Sequence, residues 1–286
     1  MLDEILKSKG VAVQLTMLEV GAVPLTDSGG EPFHQLLKSF PGSRVLAFEV
    51  DEEECEKLNR AAPMGVQFYA QALGRGEETR DFYVAAAPMC SSLYQPNQAY
   101  CDLFQNLGNL VRTIRRIRLD TVSLDHFVSE ANIGPIDFIK IDVQGAELEI
   151  FRGGERALKN VVAIVTEVEF EPIYIGQPLY EDVSACLRGQ GLTFHKFLGL
   201  AGRAVQPIVF NKNINTAQQH LWTDAVFIRD LMRLDRLSED ALFKLALLME
   251  CYGSVDVSHF LLTEIDKRRK SDFAPLYLQR LLGASS

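Results

Sequence analysis

The chain has 286 residues, of which 47% are hydrophobic, 23% charged and 9% aromatic. This composition excludes an intrinsically disordered chain, and it supplies enough apolar material for one large domain or for a domain with a smaller appendix. The formal net charge of -9 argues against a protein that collects on nucleic acid through its overall charge.

The five cysteines lie far apart and include no Cys-x-x-Cys pair, so they predict reduced thiols rather than disulfides or a structural zinc site. No apolar stretch reaches the roughly 18 residues of a membrane span, and the first residues do not resemble a signal peptide. We therefore expect a cytoplasmic protein without a membrane span. The main basic cluster, at residues 111–118, alternates arginine with isoleucine, and we interpret it as an amphipathic face rather than a nucleic-acid site.

Short apolar runs alternate with amphipathic stretches along the first 230 residues. Continuous apolar runs separated by helical patterns predict a mostly parallel sheet that is covered on both faces. In chain order, the predicted strands are residues 13–20, 44–50, 66–73, 81–86, 136–143, 161–168, 192–199 and 224–230. We place residues 81–86 beside the third strand. The sequence therefore predicts an α/β fold.

The pattern changes near residue 237. Three amphipathic helical stretches follow one another with no strand between them. We therefore divide the chain into a Rossmann-like domain, residues 1–236, and a C-terminal helical appendix, residues 237–286. The appendix is expected to serve packing or the formation of a homo-oligomer rather than catalysis.

Polar residues and glycine cluster at the ends of the predicted strands. Ligands of open α/β sheets bind outside the carboxyl ends of the strands, so these positions are candidate site residues. They are Glu19, Gly21, Ala22, Glu49, Val50, Asp51, Gln71, Ala72, Asp142, Glu167 and Glu169.

The first turn favours close approach of a ligand to the backbone at Gly21. The G-x-G-x-x-G fingerprint of dinucleotide-binding folds is absent there, which argues against NAD or FAD. Glu49 ends the second strand, where such folds bind the hydroxyl groups of a ribose. Its carboxylate is suited to a diol, although the alternative that Glu49 only caps the following helix stays open.

Residues 138–154, FIKIDVQGAELEIFRGG, closely resemble the hallmark of FkbM-type methyltransferases, in which a strand ending in Asp leads into a Gly-Ala-Glu helix start. VLAFEVDEEECEKLN, ALGRGEETRDFYV, TVSLDHF, EVEFEPIYIGQPLYEDVSACLRGQG and DAVFIRD resemble further family segments in the same order. The resemblance covers roughly residues 16–230. It implies a class I fold that binds S-adenosylmethionine, usually with seven strands of which the last is antiparallel, and it implies O-methylation of sugars, glycans or polyketide-like products.

One motif departs from the family pattern. The usual first motif resembles DVGAN-x-G, and here it is EVGAVPL, with Val23 in place of Asn and Leu25 in place of the second Gly. We expect this turn to follow a different path. We expect the strand-end residues to bind this cofactor, namely Glu19, Gly21, Ala22, Glu49, Val50, Asp51, Gln71, Ala72 and Asp142.

Methyl transfer to an alcohol needs an aligned acceptor and is helped by a base. Asp142 is the first candidate, because its strand end should face the sulfonium; it would orient the cofactor, accept the proton or bind a metal. Glu167 and His195 are further catalytic candidates, although a lone histidine in an apolar strand is also typical of a satisfied core residue. Asp142, Glu167 and Glu169 could supply oxygen ligands to a divalent ion, but their spacing is no metal signature and we do not favour a metal.

Residues 90–107 combine Ser, Tyr, Asn and Gln with apolar residues, as a lid over a polyol would, with Tyr94 or Tyr100 stacking on a ring. The same composition equally suits an ordinary loop followed by a helix. Residues 171–180 are a second loop expected on the acceptor side. The leading prediction is an S-adenosylmethionine-dependent O-methyltransferase that acts on a saccharide, a glycan or a related metabolite. A non-catalytic Rossmann-like binding or assembly protein and a nicotinamide oxidoreductase are the alternatives.

Overall fold

The computed structural model describes residues 1–21, 31–209, 211–214 and 219–283. These residues form eleven strands in two sheets, together with eleven α-helices. The strands are β1 (Thr16–Val20), β2 (Arg44–Glu49), β3 (Val66–Ala70), β4 (Ala72–Gly74), β5 (Glu78–Ala85), β6 (Thr113–Ser123), β7 (Phe138–Ile141), β8 (Ala163–Glu169), β9 (Leu192–Phe197), β10 (Ala201–Gly202) and β11 (His220–Arg229).

The helices cover both faces of the larger sheet. They are α1 (Leu2–Ser8), α2 (Gln35–Ser39), α3 (Glu52–Ala61), α4 (Gln98–Cys101), α5 (Leu107–Val111), α6 (Leu124–Glu130), α7 (Glu147–Gly153), α8 (Tyr180–Gly189), α9 (Glu239–Cys251), α10 (Val255–Arg269) and α11 (Phe273–Gly283). Asp51 and Ser123 cap α3 and α6, each accepting a backbone N–H bond with its side chain, as short polar residues do at helix starts.

The larger sheet has the strand order β10-β11-β8-β7-β1-β2-β3. The short strand β10 pairs with the beginning of β11, and β9 pairs with the end of β11. The strands from β8 to β3 are parallel to their neighbours, whereas β11 is antiparallel to β8 and to β9. The prediction of a mostly parallel sheet with an antiparallel last strand is confirmed. The chain runs outward from β1 to β3 and then returns to β7 on the other side of β1. The carboxyl ends of β1 and β7 therefore form the topological switch point, where such sheets bind ligands.

Alternation along the strands divides the apolar residues between two cores. Met17, Phe138, Val165 and Val226 face the core that contains α9, α10 and α11. Their sequence neighbours Leu18, Ile139, Ile164 and Phe227 face the opposite core, which is closed by α6, α7 and α8.

The C-terminal helices pack directly on the sheet. Leu242, Leu245 and Leu261 are fully buried in the same core as the β7 and β8 side chains. Arg268 of α10 also donates hydrogen bonds to the Leu234 and Leu237 carbonyl oxygens at 2.7 Å, which ties the helices to the segment that follows β11. The helical appendix thus forms the covering layer of one sheet face.

The smaller sheet has the order β4-β6-β5 and corrects two expectations. Residues 81–86 do not pair beside β3, because β5 pairs antiparallel with β6 instead. The basic run at residues 111–118 enters β6, so its exposed face belongs to a strand. Residues 66–73 form no single strand, since the chain turns at Gln71, whose N–H bonds to the Tyr69 carbonyl oxygen at 2.9 Å.

Among the helices of the described residues, none combines the length and the apolar character needed to cross a bilayer.

Candidate active site

The ends of β1 and β7 touch each other at the switch point. The Asp142 N–H donates to the Val20 carbonyl oxygen at 2.9 Å. Gly21 has a φ of +78°, and a Cβ at this position would lie 1.8 Å from the Asp142 carbonyl oxygen. No other residue fits here, because a side chain would overlap the backbone of the neighbouring strand end. The structure therefore brings Gly21 and Asp142 together, as the strand-end pattern predicts.

A glutamine fixes the carboxylates beside this contact. The Gln144 side-chain amide donates to Asp142 Oδ1 at 2.8 Å and to Glu167 Oε2 at 2.5 Å. The Tyr174 hydroxyl donates to Gln144 Oε1 at 2.9 Å, and Ser92 Oγ donates to the Gln144 carbonyl oxygen at 2.6 Å. One amide thus holds the two candidate catalytic carboxylates in a defined geometry.

Burial controls the ionisation of the neighbouring acids. Burial, together with the negative charges of Asp142 and of the other acids, raises the pKa of Glu167 and of Glu169 well above the ordinary value. Burial also raises the pKa of Glu147 to about 7, although its Oε1 accepts the Val143 N–H at 2.8 Å. The cluster is therefore partly protonated near neutral pH and would ionise further beside a cation.

A lysine lies inside this acidic region. Lys140 is 7% exposed, and its ammonium donates to Asp224 Oδ1 at 2.9 Å. Burial works against the charge of Lys140, but the negative charges of Asp142 and Asp224 outweigh it and raise the lysine pKa. The Lys140 ammonium is therefore favoured over the neutral amine, and Asp224 holds it by a hydrogen bond.

The residues after β2 adopt a helix start. Asp51 accepts the Glu54 N–H at 2.9 Å, so Asp51 rather than Glu49 caps α3. Glu49 Oε1 accepts the Asp51 N–H at 3.0 Å, and this bond engages only one of its two carboxylate oxygens. Val50 is 37% exposed between them. Glu49 is thus positioned at the strand end by a bond that is compatible with binding a diol.

The four remaining residues that the sequence predicts to bind the cofactor differ in their surroundings. Gln71 Oε1 is buried and has no hydrogen-bond partner among the described residues, so it is an acceptor suited to a ligand donor. Ala72 begins β4 in the smaller sheet. Glu19 is buried, and its Oε2 lies 2.8 Å from His34 Nε2, so this carboxylate already has a hydrogen-bond partner within the chain. Ala22 and the divergent turn that follows it lie outside the described residues.

The structure does not bring His195 to the carboxylates. His195 lies on β9, at the irregularity where Lys196 pairs with Val226 and Phe194 with Phe227. The strands β11 and β8 separate it from β7, and its Nε2 lies 2.8 Å from Ser254 Oγ in the α9–α10 connection. Burial and the charge of Lys196 lower its pKa. The prediction of His195 as a base at this site is corrected, because strand order and register place it on the outer part of the sheet.

Residues 90–107 and 171–177 form one ordered layer above the sheet edge. The Asn97 N–H donates to the Ile173 carbonyl oxygen at 2.8 Å, and Cys101 and Phe104 are buried in the small core of this layer. The Tyr94 hydroxyl donates a hydrogen bond to Glu149 Oε1 of α7, and the Tyr100 ring packs against the Phe104 ring. Among the tyrosines of these two segments, Tyr174 bonds to Gln144, the residue that holds Asp142 and Glu167, whereas the hydrogen bond of Tyr94 goes to Glu149 instead.

An arginine and a tryptophan flank the same edge. Trp222 is paired with Glu169, and the Arg203 guanidinium lies 5.3 Å from the Trp222 ring centroid. Arg203 Nε is buried and has no hydrogen-bond partner among the described residues. Burial raises the pKa of the Cys90 thiol, the Asp142 charge adds to this rise, and the Arg203 guanidinium offsets part of it.

Within the part of the chain that the structure describes, no group of three or more His, Cys, Asp or Glu side chains is arranged to hold a metal ion.

Several site residues are missing from the sequence-based set. Lys140 is the one that a local signal could have revealed, because it lies two positions before Asp142 and is the single charged residue of β7. Gln144 is visible only as part of a turn. Asp224, Tyr174 and Arg203 join the site through pairing over long sequence distances, which local patterns do not show.

This sheet order and this switch-point site define a Rossmann-like fold of the class I methyltransferase type. The sequence model of the family "Methyltransferase FkbM domain" matches residues 20–194. The chain belongs to the FkbM methyltransferase family, which confirms the resemblance carried by residues 138–154.

Two relatives match parts of the chain. The 2-O-methyltransferase NoeI of Sinorhizobium fredii is 41% identical over 61 residues, which are 21% of this chain and 25% of NoeI. Methyltransferase 1 of Beauveria bassiana is 26% identical over 142 residues, which are 45% of this chain and 57% of that protein. The chain thus spans less than two thirds of the length of either relative.

Two solved structures show a broad likeness. Methyltransferase FkbM from Methylobacillus flagellatus has 13% identity and a TM-score of 0.41, covering 75% of this chain and 43% of that one. The magnesium protoporphyrin IX methyltransferase of Synechocystis has 10% identity and a TM-score of 0.37, covering 80% of this chain and 76% of that one.

Proposed function

We propose that the protein transfers a methyl group from S-adenosylmethionine to a hydroxyl group of a saccharide, a glycan or a related natural product. Membership of the FkbM methyltransferase family supports the reaction type. The observation that carries the proposal is the contact between Gly21 and Asp142 at the switch point, with Asp142 and Glu167 joined by one amide.

The residues present fit the methyl donor. S-adenosylmethionine has a positive sulfonium and a positive amino group, and the acidic cluster around Asp142 offers complementary charge. Gly21 permits close approach of the donor to the backbone. Glu49 is suited to the ribose hydroxyl groups, and the buried Gln71 Oε1 needs a hydrogen-bond donor. When bound, S-adenosylmethionine supplies an electrophilic methyl group.

The chain's own residues would orient and activate the acceptor. Asp142 accepts a hydrogen bond, and then the proton, from the acceptor hydroxyl as its oxygen attacks. Gln144 holds the Asp142 carboxylate in place, and Tyr174 holds the Gln144 amide in turn. Glu167, whose pKa is raised by burial and by Asp142, is suited to share a proton with Asp142.

The acceptor side has features that suit a saccharide. The ring of Trp222 lies beside Glu169, and aromatic rings pack well against the apolar faces of sugars. Arg203 Nε is a buried donor that an acceptor hydroxyl or ring oxygen could satisfy. The relative NoeI is a 2-O-methyltransferase, and its short match supports oxygen rather than nitrogen or carbon as the acceptor atom.

The test is methyl transfer from labelled S-adenosylmethionine to a panel of mono- and oligosaccharides. Replacing Asp142 with Asn keeps the size and the Gln144 contact but removes the base, so we expect kcat to fall by about 10²–10⁴-fold. Binding of S-adenosylhomocysteine, measured by calorimetry, should persist. The matched control is Asp120→Asn, at an exposed position of β6, which should keep wild-type turnover.

Normal turnover of Asp142→Asn would show that Asp142 does not act as the base. Failure of the wild-type protein to bind S-adenosylmethionine or S-adenosylhomocysteine at high micromolar concentration would instead favour a non-catalytic binding protein. A thermal shift with nicotinamide nucleotides alone would favour the oxidoreductase alternative.

A further inference from the structure

An arginine on the connection between β10 and β11 keeps most of its hydrogen-bonding capacity free. Arg203 follows β10, and its Nη1 donates to the Gly202 carbonyl oxygen at 3.1 Å. Its Nε is buried without a partner, and no carboxylate of the described residues forms an ion pair with the guanidinium. Burial lowers the pKa of Arg203, the direction expected of a cation that lacks a compensating anion. Such a group is suited to an anion that the chain itself does not supply.

Arg229 shows how a structural arginine of the same sheet differs. All three of its side-chain nitrogen atoms donate hydrogen bonds, at 2.5–2.8 Å, to the carbonyl oxygens of Leu158, Lys159, Val161 and Gln190. Arg203 donates through Nη1 alone among the described residues. Arg229 therefore needs no ligand to satisfy its donors, whereas Arg203 does.

An aromatic ring and the neighbouring backbone hold Arg203 in place. Its guanidinium lies over the Trp222 ring, 5.3 Å from the ring centroid. Stacking of this kind orients the planar group and leaves its N–H edge free for a carboxylate or a phosphate. Ala201 pairs with Trp222 across the strands, and the Gln105 N–H donates to the Ala204 carbonyl oxygen at 2.8 Å. The positive charge is therefore preorganised before any ligand binds.

Strand order places this pair on the acceptor side of the site. Trp222 pairs with Glu169 of β8 and packs against the small core of the ordered layer, which includes Tyr174. The Tyr174 hydroxyl donates to Gln144, whose amide holds the two candidate catalytic carboxylates. The ends of β1 and β2, which are expected to bind the methyl donor, lie on the other side of β7. Two strand spacings, about 10 Å, separate β11 from β7, so Arg203 would contact the acceptor beyond its methylated hydroxyl.

We propose that Arg203 and Trp222 bind an anionic group of the acceptor, which is therefore an acidic saccharide such as a uronic acid or a sugar phosphate rather than a neutral sugar. The Arg203 guanidinium binds the anion through two N–H groups, and the Trp222 ring packs against the apolar face of the sugar. This inference rests on the proposed function, because it names the acceptor class of the same site.

Trp222 is the single tryptophan of the chain, so one signal reports on this site. The experiment follows its indole N–H in proton–nitrogen NMR spectra of the full chain, with and without S-adenosylhomocysteine. The probes are methyl β-glucuronide, α-glucosyl phosphate, methyl β-glucoside and inorganic phosphate. We expect at least one acidic sugar to shift the signal saturably, with a Kd about 10–100-fold below that of methyl β-glucoside. The acidic sugar with the lower Kd identifies the anion.

Three variants separate recognition from packing. Arg203→Met keeps an unbranched apolar side chain beside Trp222 but removes the charge, so the preference for acidic sugars should disappear. Arg203→Lys keeps the charge without the planar fork, so the preference should fall but persist. Arg188→Met is the matched control, because Arg188 is exposed on α8 and its loss changes the net charge equally. For an acidic acceptor that is methylated, Arg203→Met should raise KM and leave kcat nearly unchanged.

A purely structural Arg203 would lower the thermal stability in Arg203→Met and leave the sugar preference as in the wild type. That result, equal affinity of the wild type for acidic and neutral sugars, or no saturable shift with either acidic sugar would each overturn the inference. Inorganic phosphate bound as tightly as the preferred acidic sugar would also overturn it, because the site would then recognise no sugar.

If Arg203→Met does not fold, Arg203→Lys decides, since an undiminished preference there would contradict recognition by the planar fork. The titration needs no turnover. Absence of methyl transfer beside an intact preference for acidic sugars would contradict the proposed function and leave this inference standing.

Discussion

Single residues at the carboxyl edge of the sheet combine burial with charge. Asp142, Glu147, Glu167 and Glu169 are held close together, and the three glutamates are protonated more readily than in water because burial disfavours their charged forms. Such a cluster lowers the stability of the ligand-free protein when it ionises. A positively charged donor molecule would relieve that cost, which links binding to proton release.

Replacing Glu147 with Gln tests this electrostatic cost. The pKa of Glu147 rises from 4.5 to about 7 on folding. Between those two values the folded chain keeps a proton that the unfolded chain releases, so stability falls as the pH rises through this range. The glutamine side chain cannot ionise, and its carbonyl oxygen can still accept the Val143 N–H. We expect the variant to gain about 2–3 kcal/mol over the wild type at pH ~8 and little at pH ~4.

Urea unfolding at several pH values measures this difference. Glu155→Gln is the matched control, because Glu155 is exposed, and it should show the pH dependence of the wild type. The same slope in Glu147→Gln as in the wild type would show that Glu147 does not carry the predicted proton.

At the scale of elements, the turn from β7 into α7 builds the site. Gln144 has a φ of +57° and Gly145 a φ of +99°, and these two left-handed residues aim the Gln144 amide at the carboxylates. A Cβ on Gly145 would lie 3.2 Å from the Gln177 Cβ. Gln177 in turn accepts the Tyr174 N–H, so the turn and the loop that carries Tyr174 are packed as one unit.

Gly145→Ala should therefore disturb both the backbone and the site. We expect a loss of about 1–2 kcal/mol in the free energy of unfolding, since alanine tolerates this φ poorly. We also expect kcat to fall by more than this loss of stability would explain, because Gln177, Tyr174 and Gln144 must shift together. The control is Gly76→Ala, where a Cβ meets nothing within 4 Å and should be tolerated. A wild-type kcat in Gly145→Ala would show that the geometry of this turn does not affect methyl transfer.

The elements differ in how far the sequence predicts them. β1, β2, β7 and β8 are continuous apolar runs, and the rule that ligands bind at strand ends points to Gly21 and Asp142 without knowledge of the register. The smaller sheet is not predictable in this way, because β5 and β6 pair across residues 86–112 and expose both polar and apolar side chains. His195 shows the same limit, since its apolar strand gives no indication of its distance from β7.

At the scale of the whole molecule, the C-terminal helices complete the fold. They cover the sheet face that also carries Lys140 and Asp224. The appendix therefore packs against the face that holds this ion pair. Phe260, Leu278 and Leu282 of these helices are 48%, 43% and 67% exposed. A homo-oligomer formed through this surface stays a prediction, which sedimentation equilibrium of the full chain would test.

We propose that the carboxyl ends of β1, β2 and β7 bind one S-adenosyl nucleoside with Asp142 facing the methyl position. A crystal structure with S-adenosylhomocysteine at saturating concentration tests it most directly. We predict the ribose hydroxyl groups within hydrogen-bond distance of Glu49 and the sulfur turned toward Asp142, beside Gly21. Nucleoside bound on another surface of the protein, or bound here with its sulfur turned away from Asp142, would contradict the account.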